Sequence, residues 1–375
     1  MKTCKLLPEI CKIQYGYPFD SSLFSESGNF PLIRIRDVRR GYTETYTSEC
    51  CSQEYIVNYG DILIGMDGEF NIAKWSSTQA YLNQRVCKLI PHSCIDKGYL
   101  FFFMPKALKE IEARTPFATV KHLSAKELNR ITVPFPKLEE QQRISFVLQS
   151  VVNIIELQKT QLQKIDQLAK SRFIEMFGDP VENPKGWSVL PISSFAKVKI
   201  GPFGSSLHAE DYVSGGYPLV NPSHIIEEKI VPDEALTLSE KKYRELSAYH
   251  LELGDIVLGR RGEIGRCALV TQVGLFCGTG SMFVRIMKDC RPDFLQRVIS
   301  HPTYKAVLED KAVGGTMKNL NAGMIENSLV ALPPLALQNE FAAFIEQLDK
   351  SKFTIRKSLE KLETLYRALL QEYFG

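Results

Sequence analysis

Two stretches of this chain repeat each other over 41 residues without a gap, and that repeat limits the possible folds more than any other feature. Residues 138–178 (LEEQQRISFVLQSVVNIIELQKTQLQKIDQLAKSRFIEMFG) and 335–375 (LALQNEFAAFIEQLDKSKFTIRKSLEKLETLYRALLQEYFG) each begin just after a proline and close on Phe-Gly. No Pro or Gly interrupts either run before its last residue. In the first, an apolar register passes through Ile144, Leu148, Val151, Ile155, Gln158, Leu162, Ile165 and Ala169. In the second it passes through Phe341, Ile345, Leu348, Lys352, Ile355, Leu359, Leu362, Tyr366, Leu369 and Tyr373. Steps alternating between four and three make a heptad seam. Each run therefore predicts a helix about 55–60 Å long. Equal length and register predict that the two helices pair with each other. Gln158 and Lys352 break the seam near each helix centre, so an antiparallel pair is expected to bring them close together.

The segments ahead of the helices repeat as well. Gly60-Asp-Ile-Leu-Ile-Gly-Met-Asp-Gly-Glu returns as Gly254-Asp-Ile-Val-Leu-Gly-Arg-Arg-Gly-Glu, and Pro18-Phe-Asp-Ser-Ser-Leu as Pro202-Phe-Gly-Ser-Ser-Leu. The repeat units are 1–178 and 179–375, joined at the helix stop and turn Phe177-Gly-Asp-Pro180. Short β-rich runs (Phe30–Arg36, Asp61–Gly65, Gln84–Ile90, Asp255–Gly259, Ser281–Ile286) and helical stretches near 96–114 and 292–310 fill the parts between. The expected fold is α+β. Two tandem globular domains of mixed sheet and short helices, 1–137 and 179–334, are each followed by a long helix, 138–178 and 335–375.

Composition narrows the function. No run approaches the ~18 apolar residues of a membrane span, and the N-terminus lacks a signal peptide's apolar region. The nine cysteines (4, 11, 50, 51, 87, 94, 267, 277, 290) include no CxxC. A cytoplasmic protein with reduced thiols and no membrane partner is expected. There is no Walker A loop, no GxGxxG after a strand, no GxSxG elbow, no HExxH and no Asn/Asp-Pro-Pro-aromatic tetrapeptide of an amino-methyltransferase. The six histidines are scattered, and no metal site is expected. A duplicated chain without a reaction centre reads as a recognition protein, non-catalytic by itself.

Charge points to a few loops. The net charge of +3 conceals two neutral helix segments, a first globular segment (1–138) of 18 basic and 14 acidic residues, and a second (179–335) of 17 and 18. Arg34-Ile-Arg36-Asp-Val-Arg39-Arg40 alternates at strand spacing, which would put Arg34 and Arg36 on one face. Arg260-Arg261 follows a predicted strand where a loop begins, and paired arginines there suit guanine or phosphate contact. Gly314-Gly-Thr316-Met-Lys318-Asn319-Leu-Asn321 matches Ala118-Thr119-Val-Lys121-His122-Leu-Ser124, which implies one shared backbone conformation. The Thr and the Asn or Ser suit turn caps, whereas the Lys suits a phosphate.

With these residues in view, the chain resembles the specificity subunit of type I restriction–modification enzymes over nearly its whole length. The resemblance rests on the Gly-Asp-Ile-(Leu/Val)-(Ile/Leu)-Gly strand, the Thr-x-Lys loop, Val133-Pro-Phe-Pro-Lys-Leu-Glu-Glu-Gln-Gln142 and Phe177-Gly-Asp-Pro180. The second copy keeps Pro333-Pro-Leu and Gln338 but has Leu337 where Glu140 stands. The resemblance implies two target recognition domains, each reading half of a bipartite, asymmetric double-stranded DNA target, held apart by an antiparallel coiled-coil spacer. It implies methyltransferase (M) and restriction/translocase (R) partner subunits, with S-adenosylmethionine, ATP and magnesium used by those partners and no cofactor on this chain. The whole would be a type I site-specific deoxyribonuclease and adenine-specific methyltransferase. Candidate DNA contacts are Arg34, Arg36, Arg39, Arg40, Lys74, Lys121, His122, Ser205, Ser206, His208, Arg260, Arg261, Lys318, Asn319 and Asn321. The weighed alternatives are a coiled-coil scaffold that reads no DNA and a self-contained nuclease or methyltransferase, the latter opposed by the missing motifs.

Overall fold

The computed structural model describes residues 3–115, 121–203, 206–261, 263–312 and 319–375. Two of the candidates, Ser205 and Lys318, lie outside them. The two long helices run Leu138–Phe177 and Leu335–Phe374. The first stops at Gly178, whose left-handed backbone (φ 78°) only glycine adopts at little cost, and whose N–H closes on the Ile174 carbonyl at 2.8 Å. Trp187 Nε1 then donates to the free Phe177 carbonyl at 3.0 Å.

The chain forms two compact units: Met1–Gln161 with Ile355–Gly375, and Leu162–Thr354. Each long helix thus begins in one unit and ends in the other, so the compact units cut across the sequence repeats. Inside each unit the two helical segments run antiparallel, with Gln158 opposite Ser358 in the first and Arg172 opposite Glu340 in the second. Ile144, Leu148, Val151 and Ile155 are buried, as is Phe341, while Leu162, Ile165, Ile345, Leu348, Ile355, Leu359 and Leu362 are half-buried. Each polar seam residue has a partner on the facing helix within its own unit. Gln158 Nε2 donates to Ser358 Oγ at 2.8 Å, and Lys352 Nζ meets Asp166 Oδ1 at 2.5 Å. A polar group leaving water takes the nearest acceptor on the facing helix, and here each finds its own.

The two units share one sheet order. In the first it is Cys11–Tyr15, Val86–Pro91, Ile62–Gly65, Ile72–Lys74, all antiparallel; in the second it is Ala196–Ile200, Ser281–Ile286, Ile256–Gly259, Cys267–Leu269. A second, mixed sheet joins Phe30–Ile33 parallel to Ala80–Leu82 in unit 1, and Tyr217–Val220 parallel to Phe276–Cys277 in unit 2. The run 292–310 is two helices, Pro292–Ser300 and Pro302–Lys311. Pro302 lacks an N–H and forces His301 before it into extended backbone (ψ 136°), so the helix restarts there. Among the described residues, no two cysteines are joined by a disulfide. Among the described residues, no helix is long and apolar enough to cross a membrane.

Each core is completed by the far end of a long helix. In unit 1, the Phe374 ring meets Tyr99 at 5.2 Å and Phe103 at 5.7 Å, and Lys106 Nζ donates to its carbonyl. In unit 2, Phe173 and Phe177 pack on Phe294 and Phe341 with ring centroids 5.0–5.8 Å apart. The near ends are locked by a buried glutamine in each copy. Gln141 accepts the Asp96 N–H and donates to the Pro136 carbonyl, both at 2.8 Å. Gln338 does the same with the Arg291 N–H and the Pro333 carbonyl, again at 2.8 Å. Phe374→Ala is expected to cost about 3–5 kcal/mol. Hydrogen exchange should show helix Lys97–Arg114 losing protection while strands Ile256–Gly259 and Ser281–Ile286 keep theirs; unchanged protection in that helix would show that Phe374 does not complete the unit 1 core.

Candidate nucleic-acid interface

In unit 1, the loop that follows strand Ile62–Gly65 lies against the segment that carries Lys121 and His122. Met66 N–H goes to the Arg85 carbonyl at 2.9 Å, and Met66 accepts the Leu123 N–H at 2.7 Å. Asp67 and His122 form an isolated antiparallel bridge. Unit 2 repeats the frame. Arg260 N–H goes to the Gly280 carbonyl at 3.1 Å, Arg260 accepts the Leu320 N–H at 2.9 Å, and Arg261 bridges Asn319. Ser124 and Asn321 then cap the next short helix in each copy, accepting the N–H of Glu127 and of Met324. Asn321 is thus held by its capping role. The backbone of the two loop pairs is the same, but their side chains differ.

In unit 1 the pair presents a charged cluster. His122 Nδ1 lies 2.5 Å from Asp67 Oδ1 and 3.2 Å from Arg85 Nη1, and Arg85 Nε is 3.6 Å from Asp67 Oδ2. One ring nitrogen cannot donate to the carboxylate and accept from the guanidinium at once. Donation to Asp67, the closer contact, leaves Arg85 Nη1 without an acceptor there, free for another anion. Arg85 holds a left-handed backbone (φ 71°), an unfavourable place for a long side chain. Arg39 Nη2 ties Glu69 of the same loop at 2.9 Å. Lys121 Nζ is spent on the Glu112 carbonyl at 2.8 Å.

In unit 2, Arg260 Nε reaches Asn319 Oδ1 at 3.4 Å, and burial together with the neighbouring Arg261 pulls its guanidinium below the ordinary value. Arg261 is exposed and meets no acceptor among the described residues. Two like charges held side by side at a loop tip mark a place where an external anion is favoured.

The other candidates divide. Arg34 and Arg36 do not share a strand face. The strand ends at Ile33 and Ile35–Arg40 is a helix, because Asp37 Oδ2 accepts the Arg34 N–H at 2.9 Å and Gly41 (φ 75°) ends it. They nonetheless line one open recess with Phe24 and Thr45, Arg34 lying 5.8 Å from the Phe24 ring centre. Arg40 faces Glu44 at 3.8 Å. Lys74 turns to the long helix, donating to Gln149 Oε1 at 3.2 Å beside the Phe101 ring, where burial lowers its pKa. Ser206 and His208 make local contacts, their N–H groups going to Phe203 and Asp211. Sequence reasoning missed Arg85 and Asp67. The polar turn Asn83-Gln-Arg85 between two apolar strands was the available signal, but its second-copy counterpart is Gly280, so the repeat did not flag it.

Arg85→Gly should relieve the left-handed strain and raise the melting temperature, by about 1 kcal/mol of stability. A lower melting temperature would mean that the Asp67–His122–Arg85 cluster supports the fold.

A family model described as the type I restriction modification DNA specificity domain matches residues 3–167 and again 184–364. The EcoBI type I specificity subunit of Escherichia coli is 26% identical over 400 residues, covering 98% of this chain and 84% of its own. The MjaVIII specificity subunit of Methanocaldococcus jannaschii is 21% identical over 369 residues, covering 92% and 84%. The crystal structure of a type I system S subunit from M. genitalium overlays with a TM-score of 0.61 at 15% identity, covering 100% of this chain and 96% of that one.

Proposed function

The chain belongs to the type I restriction-modification DNA specificity family, matched by both of its repeats, and we propose from this that each unit reads one half of a bipartite DNA target through its paired loops. One observation carries this reading. The backbone frame of the loop pair is duplicated, whereas the side chains on it are not: Asp67, Arg85 and His122 in unit 1 stand against Arg260, Arg261 and Asn319 in unit 2. A shared frame sets the same approach to the duplex. Different side chains read different base edges, so the target is asymmetric.

The subunit contributes recognition, and the chemistry belongs to its partners. In this reading, methyltransferase subunits dock on it and bring S-adenosylmethionine, and translocase-nuclease subunits bring ATP and magnesium. Adenine methylation and cleavage take place on those chains, in the cytoplasm. With a net charge of only +3, this chain alone binds DNA weakly and gains affinity as partners add phosphate contacts.

Arg260→Ala with Arg261→Ala should weaken binding of the assembled complex by roughly 1–3 kcal/mol if one of them reads a base, and should relax only one half of the target. Unchanged affinity, sequence preference and salt dependence would remove this loop from the interface. The long helices are read as the spacer. Inserting one heptad into each, at matched seam positions, adds about 10 Å, roughly three base pairs. Sequencing of methylated sites should then show a longer spacer between unchanged half-sites; altered half-sites would overturn the ruler.

A further inference from the structure

The internal repeat acts as a control for one cavity in unit 2. Helices Lys97–Arg114 and Pro292–Ser300 hold equivalent places, because the residue before each gives its N–H to the buried glutamine. Counted from these caps, Phe102 matches Arg297. On the long helices, Tyr366 matches Ala169. In unit 1 the Phe102 and Tyr366 rings meet edge-on at 6.5 Å. In unit 2 the same two positions hold a guanidinium and a methyl group. Beside them lies a cavity of about 410 Å³, walled by Lys170, Phe173, Ile174, Glu228, Arg297 and Lys305.

Arg297 is the unexplained group. Its guanidinium carbon lies 5.3 Å from the Phe341 ring centre. Among the described residues, its N–H groups meet no hydrogen-bond acceptor or ion-pair partner. Burial pulls it below the ordinary guanidinium value, while Glu228, Asp293, Asp349 and Asp166 oppose that only from beyond ion-pair distance. Arg297 is half-buried and lines the cavity, so its guanidinium can meet an anion that enters there. Glu228 is held unusually too. It and Glu227 form the two-residue turn between Ile225–Ile226 and Lys229–Ile230, both with left-handed backbone (φ 62° and 48°). Such a turn favours Asn-Gly, so two glutamates there carry strain. Glu228 Oε2 accepts from Gln296 Nε2 at 3.3 Å.

We propose that this cavity binds a nucleotide, its phosphate on Arg297, Lys170 and Lys305 and its base against Phe173 and Ile174. The class follows from the lining. Three cations against Glu228 leave an excess of two positive charges, matching a phosphate monoester of about −1.5 to −2. The guanidinium fork suits phosphate oxygens, and Glu228 supplies an acceptor for a hydroxyl or amino group. The volume lies within the roughly 300–1,000 Å³ range of small-molecule sites. In unit 1 the Arg297 position is Phe102, packed on Tyr366, so the guanidinium has no counterpart there; none of the cavity residues lies on the duplicated loop pairs.

Calorimetric titration of the full chain with AMP tests this, with adenosine and inorganic phosphate as partial probes. AMP should saturate one site, with each partial probe at least about tenfold weaker. Arg297→Met should weaken AMP roughly ten- to a hundredfold. The double variant Ala169→Tyr with Arg297→Phe, which rebuilds the unit 1 ring pair, should abolish binding. Both variants should keep a cooperative melting transition, so that lost AMP binding is not lost folding. Absence of AMP binding by the parent, or unchanged AMP binding by either variant, would overturn the proposal.

Discussion

Everything in this fold depends on burying the aromatic end of each long helix in a core that the helix did not start from. A 40-residue amphipathic helix cannot leave its apolar stripe in water. The stripe is covered by the antiparallel partner, and the terminal rings, Phe173 and Phe177 in one case and Phe374 in the other, are covered by globular cores. Unit 1 therefore needs the last residues of the chain, and unit 2 needs the end of the first helix. Neither repeat folds its core from its own residues alone. Loss of either helix end removes large rings from a core, which is among the costliest changes a protein interior meets.

The near ends of the helices obey a second constraint. Gln141 and Gln338 each tie the entry of a long helix to the start of a domain helix through two hydrogen bonds. A buried amide is stable only when its donors and acceptors are used, so this joint fixes where the helix starts relative to the domain. The sheet strands then hold the paired loops of each unit through matching backbone bonds. On such a frame, side chains are free to differ without disturbing the fold. That freedom lets one architecture carry Asp67, Arg85 and His122 in one copy and Arg260, Arg261 and Asn319 in the other.

The repeat also separates structural positions from those that invite a ligand. Phe102 and Tyr366 show what packing alone would place at one site; Arg297 and Ala169 show the departure. A guanidinium that meets no acceptor among the described residues and Glu228 of a left-handed turn line the same cavity. Strain and unsatisfied charge concentrate where structure is held for a purpose beyond its own stability.

The sequence by itself determined the duplication, both long helices, the seam, the strands near 62–65, 256–259 and 281–286, and the pairing of Arg260 and Arg261 at a loop tip. These follow from local rules: apolar spacing, the absence of Pro and Gly, and turn residues at the ends. Tertiary structure decided what depends on distant partners. Asp37 turned Arg34–Arg40 from strand spacing into a capped helix, and Gln149 drew Lys74 away from the surface. The Glu112 carbonyl took up Lys121, while Gln158 and Lys352 found separate partners on the facing helix. Arg85 became visible only when the fold set it against Asp67 and His122, and Arg297 only when the fold placed it on a cavity wall. A charge is read locally from sequence, but its acceptor comes from residues far along the chain, so its role is settled only by the fold.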